Sequence, residues 1–105
     1  NGLSMVYSGD TTPSEFMVEN AHGVDVLIHE TFNTVAQLME RSGYDERTAR
    51  VIGTMIHSDP AEAAYAVSKC DPKLFVAFHV IDLYPATCFV LTKDFIFLPI
   101  TCKCV

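Results

Sequence analysis

Val24-Asp25-Val26-Leu27-Ile28-His29-Glu30 is the stretch that decides the fold. It is a short apolar run, preceded by Gly23 and stopped by a titratable pair, and it reads as a buried strand over Val24 to Ile28 that ends at His29-Glu30. Apolar continuity in place of strict alternation predicts cover on both faces, as in a parallel or mixed sheet. Upstream, Leu3 to Ser8 carries Met5, Val6 and Tyr7 and breaks at Gly9-Asp10, the pattern of another short buried strand. Between the two strands, Thr12 as N-cap, Pro13 at the first helical position and Glu15 completing a capping box predict a helix of about ten residues ending at Gly23.

Downstream, Val35, Leu38 and Met39 at helical spacing predict a helix over Asn33 to Arg41, closed by Ser42-Gly43. Asp45 caps a second, with Ala49, Ile52 and Met55 on one face, running up to His57. Asp59-Pro60-Ala61-Glu62 repeats the cap, proline and glutamate arrangement and opens an alanine-rich helix to Lys69, ended by Asp71-Pro72. Leu74 to Phe78 is a third strand ending at His79. The expected order is β-α-β-α-α-β, an α/β fold. Beyond it, Cys88-Phe89-Val90-Leu91 and Phe95-Ile96-Phe97-Leu98, joined by Thr92-Lys93-Asp94, predict a hairpin that Pro85 and Pro99 keep short. The reading separates residues 1–82, the α/β part, from an apolar tail over 83–105 whose structure the sequence leaves open.

Composition narrows the function classes. At 105 residues, half of them apolar, the chain carries one modest core and not two domains. It begins at Asn1 and enters its first strand almost at once, so it is expected to be part of a longer polypeptide. Seven basic against thirteen acidic residues, a net charge of -6, give no electrostatic footprint for gripping nucleic acid through phosphates alone. There is neither a signal-like n-region and apolar core nor an apolar run of about 18 residues, so a membrane is not an expected partner. Cys70 and Cys88 stand alone and Cys102-Lys103-Cys104-Val105 is a weak match to a prenylation box, so the cysteines form no disulfide framework and a reducing, cytoplasmic setting is expected.

The candidate chemistry sits where strands stop and helices start, the usual place for a site in an α/β fold. Asp10, Glu30, His57 and His79 are the four candidates. A carboxylate can bridge two divalent ions, and a neutral imidazole held at a rigid strand end is a common zinc ligand. A histidine oriented by a carboxylate can deliver a proton to a leaving oxygen. Each residue also has an ordinary explanation: Asp10 as a turn residue, Glu30 as a solvated side chain approaching a helix, His57 as the neighbour of a helix cap, His79 as a half-buried histidine. His22 and His29 read as structural.

Taken together, the strings resemble the metallo-β-lactamase-fold hydrolases in their ribonuclease Z and arylsulfatase-like branch. Val6-Tyr7-Ser8-Gly9-Asp10-Thr11 is similar to the family strand ending in Gly-Asp-Thr, and Asp25-Val26-Leu27-Ile28-His29-Glu30 to the next strand ending in His-Glu. His57-Ser58 with the helix after Pro60 resembles the His-Ser-Thr segment, with Asp59 where threonine is usual, and Phe78-His79 the strand-end histidine. The resemblance implies the C-terminal half of a four-layer αββα sandwich. It implies Asp10 as bridging ligand and His79 as terminal ligand in a site for two Zn²⁺ ions. It also implies His57 as general acid and Glu30 as its orienter, acting on a phosphodiester or related ester, small or RNA, with a homodimer as a further expected partner. The family's His-x-His-x-Asp-His motif is missing, and two ligands cannot hold two metals, so the chain alone is expected to be inactive. Two other readings compete: a non-catalytic truncated remnant of such a hydrolase, and a small α/β module in which Asp10 and Glu30 bind a single Mg²⁺ and both histidines are dispensable.

Overall fold

Strands form on the apolar runs and helices on the capped segments between them. The computed structural model describes residues 2–79, 87–92 and 97–101. In chain order the elements are β1 (Met5–Tyr7), α1 (Glu15–Ala21), β2 (Val26–Glu30), α2 (Val35–Ser42), α3 (Glu46–Met55), α4 (Pro60–Cys70), β3 (Leu74–Phe78), β4 (Thr87–Thr92) and β5 (Phe97–Thr101). The architecture is α/β. Three helices separate β2 from β3, matching the three capped segments read in the sequence; the order β-α-β-α-α-β counts one too few.

The sheet order is β1-β2-β3-β4-β5, with β1, β2 and β3 mutually parallel and β4 and β5 added antiparallel. Pairing of Glu30 with Phe78 carries β2 two residues beyond the predicted end at Ile28, so His29 and Glu30 are the last residues of the strand and not its exit. β5 contains Pro99 opposite Phe89; an outermost strand can do without one N–H. Residues 93–96 and Cys102 to Val105 lie outside the described residues, so the predicted hairpin turn and the Cys-x-Cys ending are not seen.

The helix caps show why the boundaries fall where they do. Asp59 accepts from the backbone N–H groups of Ala61 and Glu62 while the Glu62 side chain accepts from the Asp59 N–H, the predicted capping box. Asp and Thr are both good N-caps, which accounts for Asp59 standing where the family usually has threonine. Thr34 and Gln37 form a second box on α2, and Asp45 caps α3. The first helix departs from expectation. Its N-cap is Ser14, accepting from Met17 N–H at 3.3 Å, not Thr12, and the helix has seven residues. Thr11 is held at both its backbone groups by distant residues, so the chain cannot turn helical until after Pro13.

One face of the parallel sheet is filled. Leu27, Phe75 and Ala77 meet Ala21 of α1 and Cys70 of α4, with Val24 completing the buried core and Val6, Met17, Val18 and Val67 packed around it. A smaller core of Phe32, Leu38 and Ala49 joins α2 to α3. The other face of the sheet differs from the expectation of double cover: Met5 and Tyr7, which alternate with Val6, are 64% and 61% exposed. Apolar continuity reports the character of both faces, but the helix-covered face is the more deeply buried, while Val26, Ile28, Leu74, Val76 and Phe78 on the other are half-buried.

Candidate metal centre

Asp10, Glu30, His57 and His79 come together at the carboxyl end of the parallel strands. One ligand atom from each lies within 4.8 Å of the others. Their sequence separations are wide, and three devices bring them in. Gly9, at φ +64, turns the chain out of β1 so that Asp10 stands at the strand end. Glu30 ends β2 and is fully buried. His79 follows β3 with φ +61, a left-handed conformation costing a non-glycine residue about 1–3 kcal/mol. That turn takes its ring off the strand's alternation and up against Phe32 and His57.

Glu30 is the hub. Its Oε1 accepts from the Thr11 N–H at 2.6 Å and the Ser58 N–H at 3.2 Å, and its Oε2 lies 2.7 Å from His57 Nδ1. An ionised carboxylate only accepts, so His57 Nδ1 carries the proton and Nε2 is the nitrogen turned to other work. The reading of Glu30 as a solvated residue is excluded by its burial. His57 is stacked on Phe32, with ring centroids 4.0 Å apart and planes 18° from parallel. His29 lies on the opposite side of β2, fully buried, its Nδ1 2.7 Å from the Glu30 carbonyl; that carbonyl only accepts, so Nδ1 is the protonated nitrogen here too. His22 sits at the exposed C-cap of α1, away from the cluster.

His79 Nδ1 supplies the test of whether a metal fits. It is buried, 3.3 Å from Asp10 Oδ1 and 3.4 Å from Glu30 Oε2, and makes a hydrogen bond with neither. Ligand atoms around one tetrahedral zinc lie about 3.3–3.6 Å apart, given bonds of about 2.0–2.2 Å. An orphaned imidazole nitrogen facing two carboxylate oxygens at that spacing is a donor set suited to a divalent ion. Glu30 is at the same time hydrogen-bonded to His57, so Asp10 and His79 are the two donors with no other task, and further ligands are needed to complete even one zinc site.

Ser58, Thr11 and Phe32 also build the centre, and sequence reasoning assigns none of them a role. Ser58 is fully buried, its hydroxyl donating to the Thr11 carbonyl at 2.6 Å and its own carbonyl accepting from the Phe32 N–H at 2.8 Å. The sequence signals for it are its place between His57 and the Asp59 cap and its part in the His57-Ser58 string, neither of which gives it a role. Phe32 has none.

Fold and cluster together define an α/β chain with a candidate divalent-metal centre of carboxylate and imidazole groups. No protein-family model matches the chain. Ribonuclease Z of Sulfolobus acidocaldarius is 34% identical over 86 residues, which is 82% of this chain and 25% of the relative. Ribonuclease Z of Sulfurisphaera tokodaii is 32% identical over 92 residues, covering 88% and 27%, and that of Ignicoccus hospitalis 32% over 77 residues, covering 73% and 22%. The chain is therefore homologous to ribonuclease Z, as its four motifs imply, and spans about a quarter of the length of these relatives. Among the described residues no helix is long and apolar enough to cross a membrane.

Proposed function

We propose that this chain is a C-terminal part of a four-layer αββα metal-dependent hydrolase that cuts phosphodiester bonds, RNA being the favoured substrate. The convergence of Asp10, Glu30, His57 and His79 carries this reading. The relatives named ribonuclease Z support RNA as the substrate, and the exposed Met5 and Tyr7 support a second sheet lying on the open face. The rest of the polypeptide brings the remaining metal ligands. The proposal keeps the cytoplasmic setting and the homodimer read from the sequence, and the same chemistry serves small phosphodiesters.

Asp10 and His79 would hold zinc together with ligands from the rest of the polypeptide. When bound, the ions supply the charge that makes water nucleophilic near neutral pH and offset the negative charge gathering on phosphorus. The chain's own residues do the rest. Glu30 holds His57 through Nδ1–H; as the imidazolium, protonated at Nε2 as well, His57 delivers the Nε2 proton to the oxygen that leaves phosphorus as the P–O bond breaks and is left as the neutral Nδ1–H tautomer. Phe32, packed flat on the ring, keeps His57 from rotating out of line.

The test is metal content and phosphodiesterase activity, on bis(p-nitrophenyl) phosphate, of the chain extended upstream through the whole gene, with Asp10→Ala as control. About two zinc ions per chain and activity lost in the control are expected. A folded extended chain with no metal and no turnover overturns the proposal and leaves the non-catalytic remnant.

A further inference from the structure

We infer that Ser58 is a positioning residue for Asp10: its buried hydroxyl, together with Glu30, sets where the Asp10 carboxylate stands. The inference rests on the metal-centre reading above and deepens it. Asp10 is the least anchored of the four donors. Its side chain is 54% exposed, and among the described residues its carboxylate has no partner but His79. Gly9 before it, at φ +64, gives that side of the turn freedom and not rigidity. Before it, the Gly9 carbonyl accepts from the Ser8 hydroxyl at 2.8 Å, a contact between chain neighbours; the long-range ties are made by the residue after it. The Thr11 N–H is tied to Glu30 Oε1 at 2.6 Å and the Thr11 carbonyl to Ser58 Oγ at 2.6 Å.

Ser58 is suited to this because it is itself held at every polar group. Its N–H reaches Glu30 Oε1 at 3.2 Å and its carbonyl accepts from Phe32 N–H at 2.8 Å. Its hydroxyl is then a fixed post, fully buried and spanning 47 residues of chain to the Asp10 turn. Glu30 grips the same turn from the other side while orienting His57. One carboxylate and one hydroxyl thus put the metal-side residue Asp10 and the proton-side residue His57 in register.

The experiment is calorimetric titration of zinc alone into the metal-stripped protein extended upstream through the whole gene and its Ser58→Ala, Ser58→Cys and Ser58→Thr variants, with circular dichroism and urea unfolding on the same samples. Loss of an outer partner of a metal ligand lowers affinity about 10–100-fold. Ser58→Ala is expected to show that loss while still folded, and Ser58→Thr, which keeps the hydroxyl, to stay close to the parent. If Ser58→Ala does not fold, Ser58→Cys, of similar size and a weak donor, carries the comparison. Unchanged affinity in the folded variants, or equal weakening in all three, overturns the inference while the metal centre stands. A folded extended parent protein that binds no zinc overturns both.

Discussion

Replacing Glu30 isolates the hub from the fold around it. Its carboxylate serves three donors: Thr11 N–H and Ser58 N–H on Oε1, His57 Nδ1 on Oε2. In Glu30→Gln the amide oxygen keeps the two backbone bonds, but the amide nitrogen meets the His57 Nδ1–H, donor against donor. The imidazole must then shift its proton to Nε2. One charge-assisted bond of about 1.5–3 kcal/mol becomes a neutral one of about 0.5–1.5 kcal/mol, a loss of roughly 1–2 kcal/mol. Glu30→Ala strands the fully buried Ser58 N–H and the His57 ring at about 1–3 kcal/mol each, while half-buried Thr11 can recruit water, so its cost is about 2–6 kcal/mol. With a urea dependence of about 1–3 kcal/mol per molar, the unfolding midpoint should fall by about 1 M for Gln and by about twice that or more for Ala. Urea unfolding followed by circular dichroism on the metal-free chain reads both. A Glu30→Ala variant as stable as the parent, or a Gln variant costlier than Ala, refutes the argument that buried donors around Glu30 dominate.

Other predictions test the mechanism, the electrostatics and the core. His57→Ala in the extended protein should lower kcat on RNA by about 10²–10⁴-fold with zinc content unchanged, and far less on a p-nitrophenyl ester, whose leaving group needs no proton; equal losses on both substrates would remove His57 from proton delivery. Lys73, hydrogen-bonded to Asp25 at 2.6 Å, and then Ser4 hold the Asp25 carboxyl well below the usual carboxylate range. A carboxyl depressed in the folded state binds more protons when unfolded, so its contribution is full above about pH 4 and is lost as pH falls further; Asp25→Asn should flatten the decline of stability in that acid range, read by urea midpoints against pH. Burial pushes the Cys70 thiol up, so alkylation at neutral pH followed by peptide mass mapping should leave Cys70 unmodified until urea unfolds the chain. Leu27→Ala, at the fully buried centre of the main core, should cost about 2–5 kcal/mol, and a smaller loss in denaturant unfolding would mean that the core collapses around the gap.

Strand and helix identities were legible in the sequence because they depend on near neighbours. Leu74 to Phe78 forms β3 as its apolar run predicts, and the Asp59, Pro60 and Glu62 arrangement starts α4 where expected. The four donors could be named from strand ends and helix starts because the chain order puts them there. The first cap was misread for the opposite reason. Thr12 and Pro13 make a locally sound cap, but Glu30 and Ser58 hold Thr11 in a loop and move the helix start to Ser14.

What the sequence by itself determined is therefore the α/β succession, the capped helices and the identity of Asp10, Glu30, His57 and His79, all set by local propensity and spacing. Only the tertiary structure decided that these four meet within 4.8 Å, that Glu30 is buried as their hub, and that Ser58 and Phe32 belong with them. It also decided which face of the sheet the helices bury and which is left open at Met5 and Tyr7. The physical reason is distance along the chain. A hydroxyl reaching 47 residues to a carbonyl, or a ring laid flat on an imidazole, leaves no periodic trace in sequence, because its energy is realised only after the backbone has already brought the two together.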